Sequence, residues 1–342
     1  MEETRPSFGH RLRDNWLELL LLLIFVAALA WIASTARGVW QAVAVVPTET
    51  PTAVPTATAP GPAATQPTGA PGQVLRSTFD GQQAARLAQN LVDSGPRVVG
   101  SDGHTAVVGQ MIDELRQNGW GLQQQSFVVD GVQHTNIVAR TGSGDIIVVA
   151  THYDTSPVSD LDADEASRSL PSPGANDGAS GAAVLLELAR SLDKEQLNEQ
   201  VWLAFLDGRY APLSGDGANE IGDSGVRTLA EALPADVTAV IWVDLAGDPD
   251  QRFTIVPNGD PQVAADLWSV AEQLGYTRWF VQETGPTADS SVQVFSDLGQ
   301  AATAIVDPEY AYLRTTEDTT DKLSSSSLER VGRVLEVYLE QQ

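Results

Sequence analysis

The sequence predicts an α/β domain on a mostly parallel central sheet with helices on both faces, preceded by one transmembrane helix and a disordered linker. Three observations predict it. From about residue 80 onward, apolar runs of strand length alternate with segments of helical periodicity, the pattern of a parallel sheet covered on both sides. Trp16 to Ala33 is an almost unbroken apolar run, close to the roughly 20 residues that cross a bilayer. From Pro47 to Gly72 the composition shifts to Pro, Thr, Ala and Gly, too poor in large apolar side chains to fold.

The expected boundaries are a tail at 1–15, an anchor at 16–34, a Pro/Thr/Ala-rich linker at 35–73 and a folded domain at 74–342. Glu18 lies at the start of the span, where a carboxylate can stay at the interface. Arg5, Arg11 and Arg13 precede the span and only Arg37 follows closely. The positive-inside rule then gives a single-pass protein with a cytoplasmic N-terminus and an extracellular C-terminal domain. A cleaved signal peptide is the competing reading, because Ala33-Ser-Thr-Ala36 offers small residues. The run exceeds the about 7–15 residues of a signal core, which favours an anchor that stays. The linker reads as an extended, semi-rigid spacer at roughly 3 Å per residue.

Composition narrows the function. There are 45 acidic against 20 basic residues, a formal charge of −25, which argues against nucleic acid as a partner. No cysteine is present, which excludes disulfides, thiolate zinc sites and a cysteine nucleophile.

Along the domain, Asp80 to Val92 reads as a helix capped by Asp80, with Ala84, Leu87, Ala88 and Leu91 at helical spacing. Gly95-Pro96 breaks it. Gly100-Ser-Asp-Gly103 reads as a turn, without the lysine of a phosphate loop, before a helix from Thr105 to Asn118. Strands are expected at Gly121–Val129, Thr135–Thr141 and Asp145–Thr151. A helix over Ala179–Leu192 and a strand over Gln200–Leu206 follow, then an irregular loop from Gly208 to Gly222. Next come a helix near Ser224–Leu233, the strand Val237–Leu245, the helix Pro261–Leu274 and the strand Arg278–Gln282. The helix Ser291–Leu298, the strand Ala302–Val306 and a final helix, Leu328–Glu340, complete the pattern. Trp202, Trp242, Trp268 and Trp279 fall in these elements and read as core. Gly222-Asp-Ser-Gly225 matches a serine-protease nucleophile string, but the α/β order around it does not fit that class.

Chemistry concentrates at three places. His152 follows the apolar strand Ile146-Ile-Val-Val-Ala150, within Thr151-His-Tyr-Asp154. Asp177 lies in Pro173-Gly-Ala-Asn-Asp-Gly-Ala-Ser-Gly181, just before a helix. Asp244 ends the run Val240-Ile-Trp-Val-Asp244. Carboxyl ends of strands are where open α/β sheets build their sites. One imidazole and two carboxylates suit a single zinc ion with a position left open.

These strings carry a family resemblance. Over nearly all of 74–342 the domain resembles the zinc-dependent aminopeptidases and glutaminyl cyclases of the di-zinc exopeptidase fold. The likeness runs through Gly95–Ser101, the His-Tyr-Asp loop, Gly174–Gly181, Phe205-Leu-Asp-Gly208, Val243–Gly247 and Tyr310–Thr319. It implies that His152, Asp177 and Asp244 hold one zinc and that Asp177 bridges to a second. It further implies a second-metal carboxylate just after Phe-x-Asp-Gly, a late histidine, and a glutamate base that takes a proton from the attacking water. In the cyclase branch a single zinc uses the middle aspartate, that carboxylate and the late histidine.

Here the chain departs from the pattern. Arg209 stands at the base, Tyr210 at the carboxylate ligand and Arg314 at the late histidine. Arginine stays protonated, and tyrosine ligates only as a phenolate. The histidines are His10, His104, His134 and His152, so none follows residue 152. Asp207, Asp216 or Glu220 is the remaining source of a replacement ligand. Arg314, with Arg209 assisting, is expected to supply a fixed cation in place of the second metal. Two functions follow. One is a pseudoenzyme that binds a peptide terminus or protein partner on the retained scaffold. The other is an altered aminopeptidase using one zinc.

Overall fold

The computed structural model describes residues 75–210 and 222–342, all within one compact unit, Ala70–Gln342. The transmembrane helix and linker expected at 16–34 and 35–73 lie outside the described residues, as does most of the Gly208–Gly222 loop. Among the described residues no helix is long and apolar enough to cross a membrane.

Two helices open the unit, α1 (Gly81–Asp93) and α2 (Asp102–Gln117). The Asp80 carboxylate caps α1 by accepting from the Gln82 and Gln83 N–H groups. Ser101 caps α2 by accepting from His104 N–H. That cap starts α2 three residues before the expected Thr105, so Asp102 and Gly103 are helical rather than part of a turn.

Six strands form the main sheet: β1 (Gly121–Val129), β2 (Val132–Thr141), β3 (Ile146–His152), β4 (Gln200–Leu206), β5 (Val237–Asp244) and β8 (Ala302–Val306). Their order is β1-β2-β4-β3-β5-β8. β4, β3, β5 and β8 run parallel, whereas β1 pairs antiparallel with β2 and β2 with β4. The sheet expected to be mostly parallel is therefore mixed, with an antiparallel ribbon beside a four-stranded parallel half. The cause is local. Asp130 and Gly131 both have positive φ, 51° and 80°, as a two-residue hairpin turn requires.

Helix α3 (Gly181–Ser191) follows β3, and α4 (Ser224–Ala232) follows β4. A second, two-stranded sheet pairs β6 (Phe253–Ile255) with β7 (Phe280–Thr284) in parallel, around α5 (Pro261–Gln273). Helices α6 (Ser290–Asp297) and α7 (Ser325–Glu340) complete the unit.

Alternation along the central strands divides the core between two faces. Ile147, Val149, Leu203 and Ile241 pack with α1, α2, α3, α5 and α7. Val148, Ala150, Trp202, Val240 and Trp242 pack with α4 and α6. Trp202, Trp242 and Trp268 are buried as expected. Trp279 is half-buried, with the Arg330 guanidinium 4.0 Å from its ring centroid.

Candidate metal centre

β3 and β5 are neighbours in parallel register, so His152 and Asp244, their last residues, emerge together at the carboxyl edge of the sheet. The third residue comes from the turn that leads into α3. Asp177 and Gly178 break the helical geometry of Ala175–Ser180, with Gly178 at φ 99°. A Cβ on Gly178 would lie 2.9 Å from the Asp154 carbonyl oxygen and 3.2 Å from His152 Cε1. Only glycine lets the turn close over the imidazole at that φ. Asp318 anchors the turn from the other side, accepting from the Asn176 and Asp177 N–H groups at 2.8 and 3.1 Å. Arg97, fully buried, donates to the carbonyls of Tyr153, Pro173 and Gly174.

His152, Asp177 and Asp244 each offer a ligand atom within 4.8 Å of the others. His152 Nε2 lies 3.2 Å from Asp177 Oδ1 and 3.4 Å from Asp244 Oδ1. It makes no hydrogen bond although it is buried. Its Nδ1 lies 3.1 Å from the Asp154 carbonyl oxygen; donation there leaves the Nε2 lone pair facing the two carboxylates. Donors about 2.1 Å from a tetrahedral zinc stand roughly 3.4 Å apart. The residues present therefore fit one zinc ion. Without a metal, burial opposes charge on His152, but the adjacent carboxylates of Asp244, Asp154 and Asp177 outweigh it and raise the ring well above its usual range. Burial likewise opposes the Asp177 carboxylate, and His152 and Tyr210 outweigh that and hold it below its ordinary value.

The other Asp177 oxygen already has a partner. The Tyr210 hydroxyl donates to Asp177 Oδ2 at 2.5 Å. Burial and the adjacent Asp177 push that phenol well above its ordinary pKa, so it stays a neutral donor. Arg209 donates to Asp223, and at 3.0 and 2.8 Å to Ser290 Oγ and Ser291 Oγ. Burial opposes its charge, but Asp223, Asp289 and Asp244 outweigh this and raise it further.

Arg314 does not take the role expected of it. Its guanidinium pairs with Asp160 at 2.7 Å, and its backbone sits at φ 52°. The group hydrogen-bonded to Asp177 Oδ2 is the Tyr210 hydroxyl, and the arginine on which Asp244 acts is Arg209. Asp207 is no spare ligand either. It lies 3.1 Å from His104 Nε2 and accepts from the Thr135 and Gly208 N–H groups, both at 2.8 Å. Asp216 and Glu220 lie outside the described residues. Gly222-Asp-Ser-Gly225 gives Asp223 to Arg209 and starts α4 with Ser224, and both His134 ring nitrogens lack a hydrogen-bond partner. No serine triad forms there.

A family model described as Peptidase family M28 matches residues 136–339. The chain belongs to peptidase family M28. All three candidate ligands, and the positions of Arg209, Tyr210 and Arg314, fall inside the matched M28 segment. Solved structures agree over a longer stretch. The glutaminyl cyclase of Bacteroides thetaiotaomicron, solved with N-acetylhistamine, is 26% identical with a TM-score of 0.71, covering 77% of this chain and 98% of that one. A leucine aminopeptidase precursor from the same organism is 25% identical with a TM-score of 0.73, covering 78% and 99%. A Zn-dependent exopeptidase from Parabacteroides distasonis shares the fold at 22% identity and a TM-score of 0.72, covering 79% and 100%. A search of curated proteins finds no match.

Sequence reasoning missed the residues that brace this M28 site: Arg97, Asp154 and Asp318. Each lies inside a string that carried the resemblance, yet none has a periodicity or spacing that marks a side chain aimed at a backbone turn.

Proposed function

We propose that this chain is a membrane-anchored, extracellular M28 domain that holds one zinc ion and binds a peptide terminus or protein partner, with hydrolysis lost or impaired. One observation carries the reading. Where the family resemblance puts a glutamate base, Arg209 presents a guanidinium fixed to Asp223, Ser290 and Ser291. A guanidinium keeps its proton near neutral pH and cannot accept one from an attacking water. Losing a general base lowers rates by roughly 10²–10⁴-fold. Bound zinc would supply a Lewis acid to polarise a ligand's carbonyl or hold its terminal amine. His152, Asp177 and Asp244 would hold it, and Asp154 would orient the imidazole. The anchor and spacer rest on the apolar run at 16–34 and the composition of 35–73.

A second reading is an altered aminopeptidase that works with a single zinc. The His152–Asp177–Asp244 set favours it, as does the likeness to a leucine aminopeptidase precursor over 78% of this chain.

Zinc stoichiometry of the purified protein, wild type beside Asp177→Ala, is the test, with aminopeptidase and glutaminyl-cyclisation assays on the zinc-loaded wild type. We expect about one zinc in the wild type, none in the variant, and turnover at background. Turnover lost in Asp177→Ala would establish the altered enzyme instead. No zinc in either protein would remove the altered enzyme and the zinc-holding part of the first reading, leaving a metal-free binding module.

A further inference from the structure

We propose that the Tyr210 hydroxyl takes the seat of a second metal ion on Asp177, making this a one-ion site in which Asp177 ligates through Oδ1 alone. The inference rests on the single-zinc reading above and adds what enforces it.

The two oxygens of Asp177 face different partners. Oδ1 points at His152 Nε2, 3.2 Å away, on the side shared with Asp244. Oδ2 accepts from the Tyr210 hydroxyl at 2.5 Å. A metal–oxygen bond is about 2.0–2.2 Å long, so an ion on Oδ2 would occupy nearly the volume that the phenol oxygen fills. The phenol is not free to step aside. Tyr210 is 3% exposed, and its own N–H donates to Asp154 Oδ2 at 2.9 Å. The Asp154 carbonyl in turn faces His152 Nδ1. One residue thus fixes both the imidazole and the tyrosine, and the Tyr210 ring stands edge-on to the imidazole at 6.0 Å between centroids.

A neutral O–H donor satisfies the buried Oδ2 lone pair without adding charge, where a second cation would need carboxylates of its own. No second ligand cluster forms among the described residues. Asp207 is committed to His104 and two backbone N–H groups, and Arg314 is turned to Asp160. His152, Asp177 and Asp244 are the one ligand cluster found among the described residues. Tyr210 is therefore a positioning residue: it fixes which oxygen of Asp177 meets the metal.

The experiment compares full-length wild type with Tyr210→Phe, which removes one oxygen and keeps the ring. Zinc content is measured by elemental analysis, affinity by competition with a chromophoric chelator, and ligand geometry by the visible spectrum of the cobalt-substituted protein. Unfolding of the chelator-treated proteins checks that the metal-free folds match. The wild type should bind one ion, and Tyr210→Phe should bind one ion about 10- to 100-fold more weakly, with an altered cobalt spectrum. Two ions in the wild type overturn the proposal, and that measurement needs no variant to fold. One ion held by Tyr210→Phe with unchanged affinity and spectrum overturns it while leaving the single-zinc reading intact. No zinc in the wild type overturns both.

Discussion

Arg314 illustrates how little a side chain's identity says about its direction. From sequence it stands where the family keeps a metal-binding histidine, yet its guanidinium pairs with Asp160, which is partly exposed. Partly solvated pairs contribute little, so Arg314→Ala should change unfolding free energy by no more than about 1 kcal/mol. Chemical denaturation of the metal-free protein checks this, and a loss several times larger would mean the arginine does balance the buried carboxylates. Gly178 is the opposite case. Its φ of 99° and its contact with the His152 ring predict that Gly178→Ala costs about 1–3 kcal/mol and weakens zinc binding as well, both measurable on one preparation. His152, Asp177 and Asp244 were legible in the sequence because strand ends and a Gly-rich turn announce themselves through pattern. The Tyr210–Asp177 hydrogen bond was not, since nothing in the spacing of a loop specifies where its side chains point.

Helix α3 has to start in a narrow place. A Cβ on Gly181 would collide with Thr151 Oγ1 and sit 2.9 Å from the Val243 carbonyl, wedged between β3 and β5. Gly181→Ala should destabilise by about 1–3 kcal/mol through overpacking, read from a lowered urea midpoint at unchanged slope. The strands around it were easy to read, because β3 and β4 are apolar for most of their length, as parallel strands buried on both faces are. Two features escaped. The ribbon β1–β2 depends on the Asp130-Gly131 turn, whose backbone geometry decides the direction of pairing. β6 has three residues, too few for an alternation to register. Helix starts slipped where a serine cap, Ser101 or Ser324, lies ahead of the first apolar position.

Zinc and protons should both act on the stability of the unit. Zinc that binds only the folded form at a hundred times its dissociation constant adds about 2.7 kcal/mol; Asp177→Ala should remove that increment in thermal unfolding with and without chelator. The buried pair of His104 and Asp207 sets a separate pH dependence. Burial opposes charge on both, but their interaction outweighs it, raising His104 and, with His134 3.6 Å away, holding Asp207 low. The His104 contribution is complete below the usual imidazole value and fades as pH rises through the raised one. That of Asp207 is complete above the usual carboxylate value and fades in acid. The deficit of His104→Gln in urea unfolding should therefore narrow as pH rises from below the usual imidazole value through the raised one; a constant deficit would mean that the pair carries no charge. The fold also imposes an order in time. Phe79 packs on Gly332, the Thr78 and Phe79 N–H groups donate to Glu336, and Gly81 abuts Ser325, so α1 is closed by α7. At typical elongation rates the ribosome delivers α7 on the order of 10–50 s after α1. Throughout that interval the apolar stripe of Leu87, Ala88 and Leu91 lacks its final cover, which makes the nascent chain, more than the finished protein, the form in need of a chaperone.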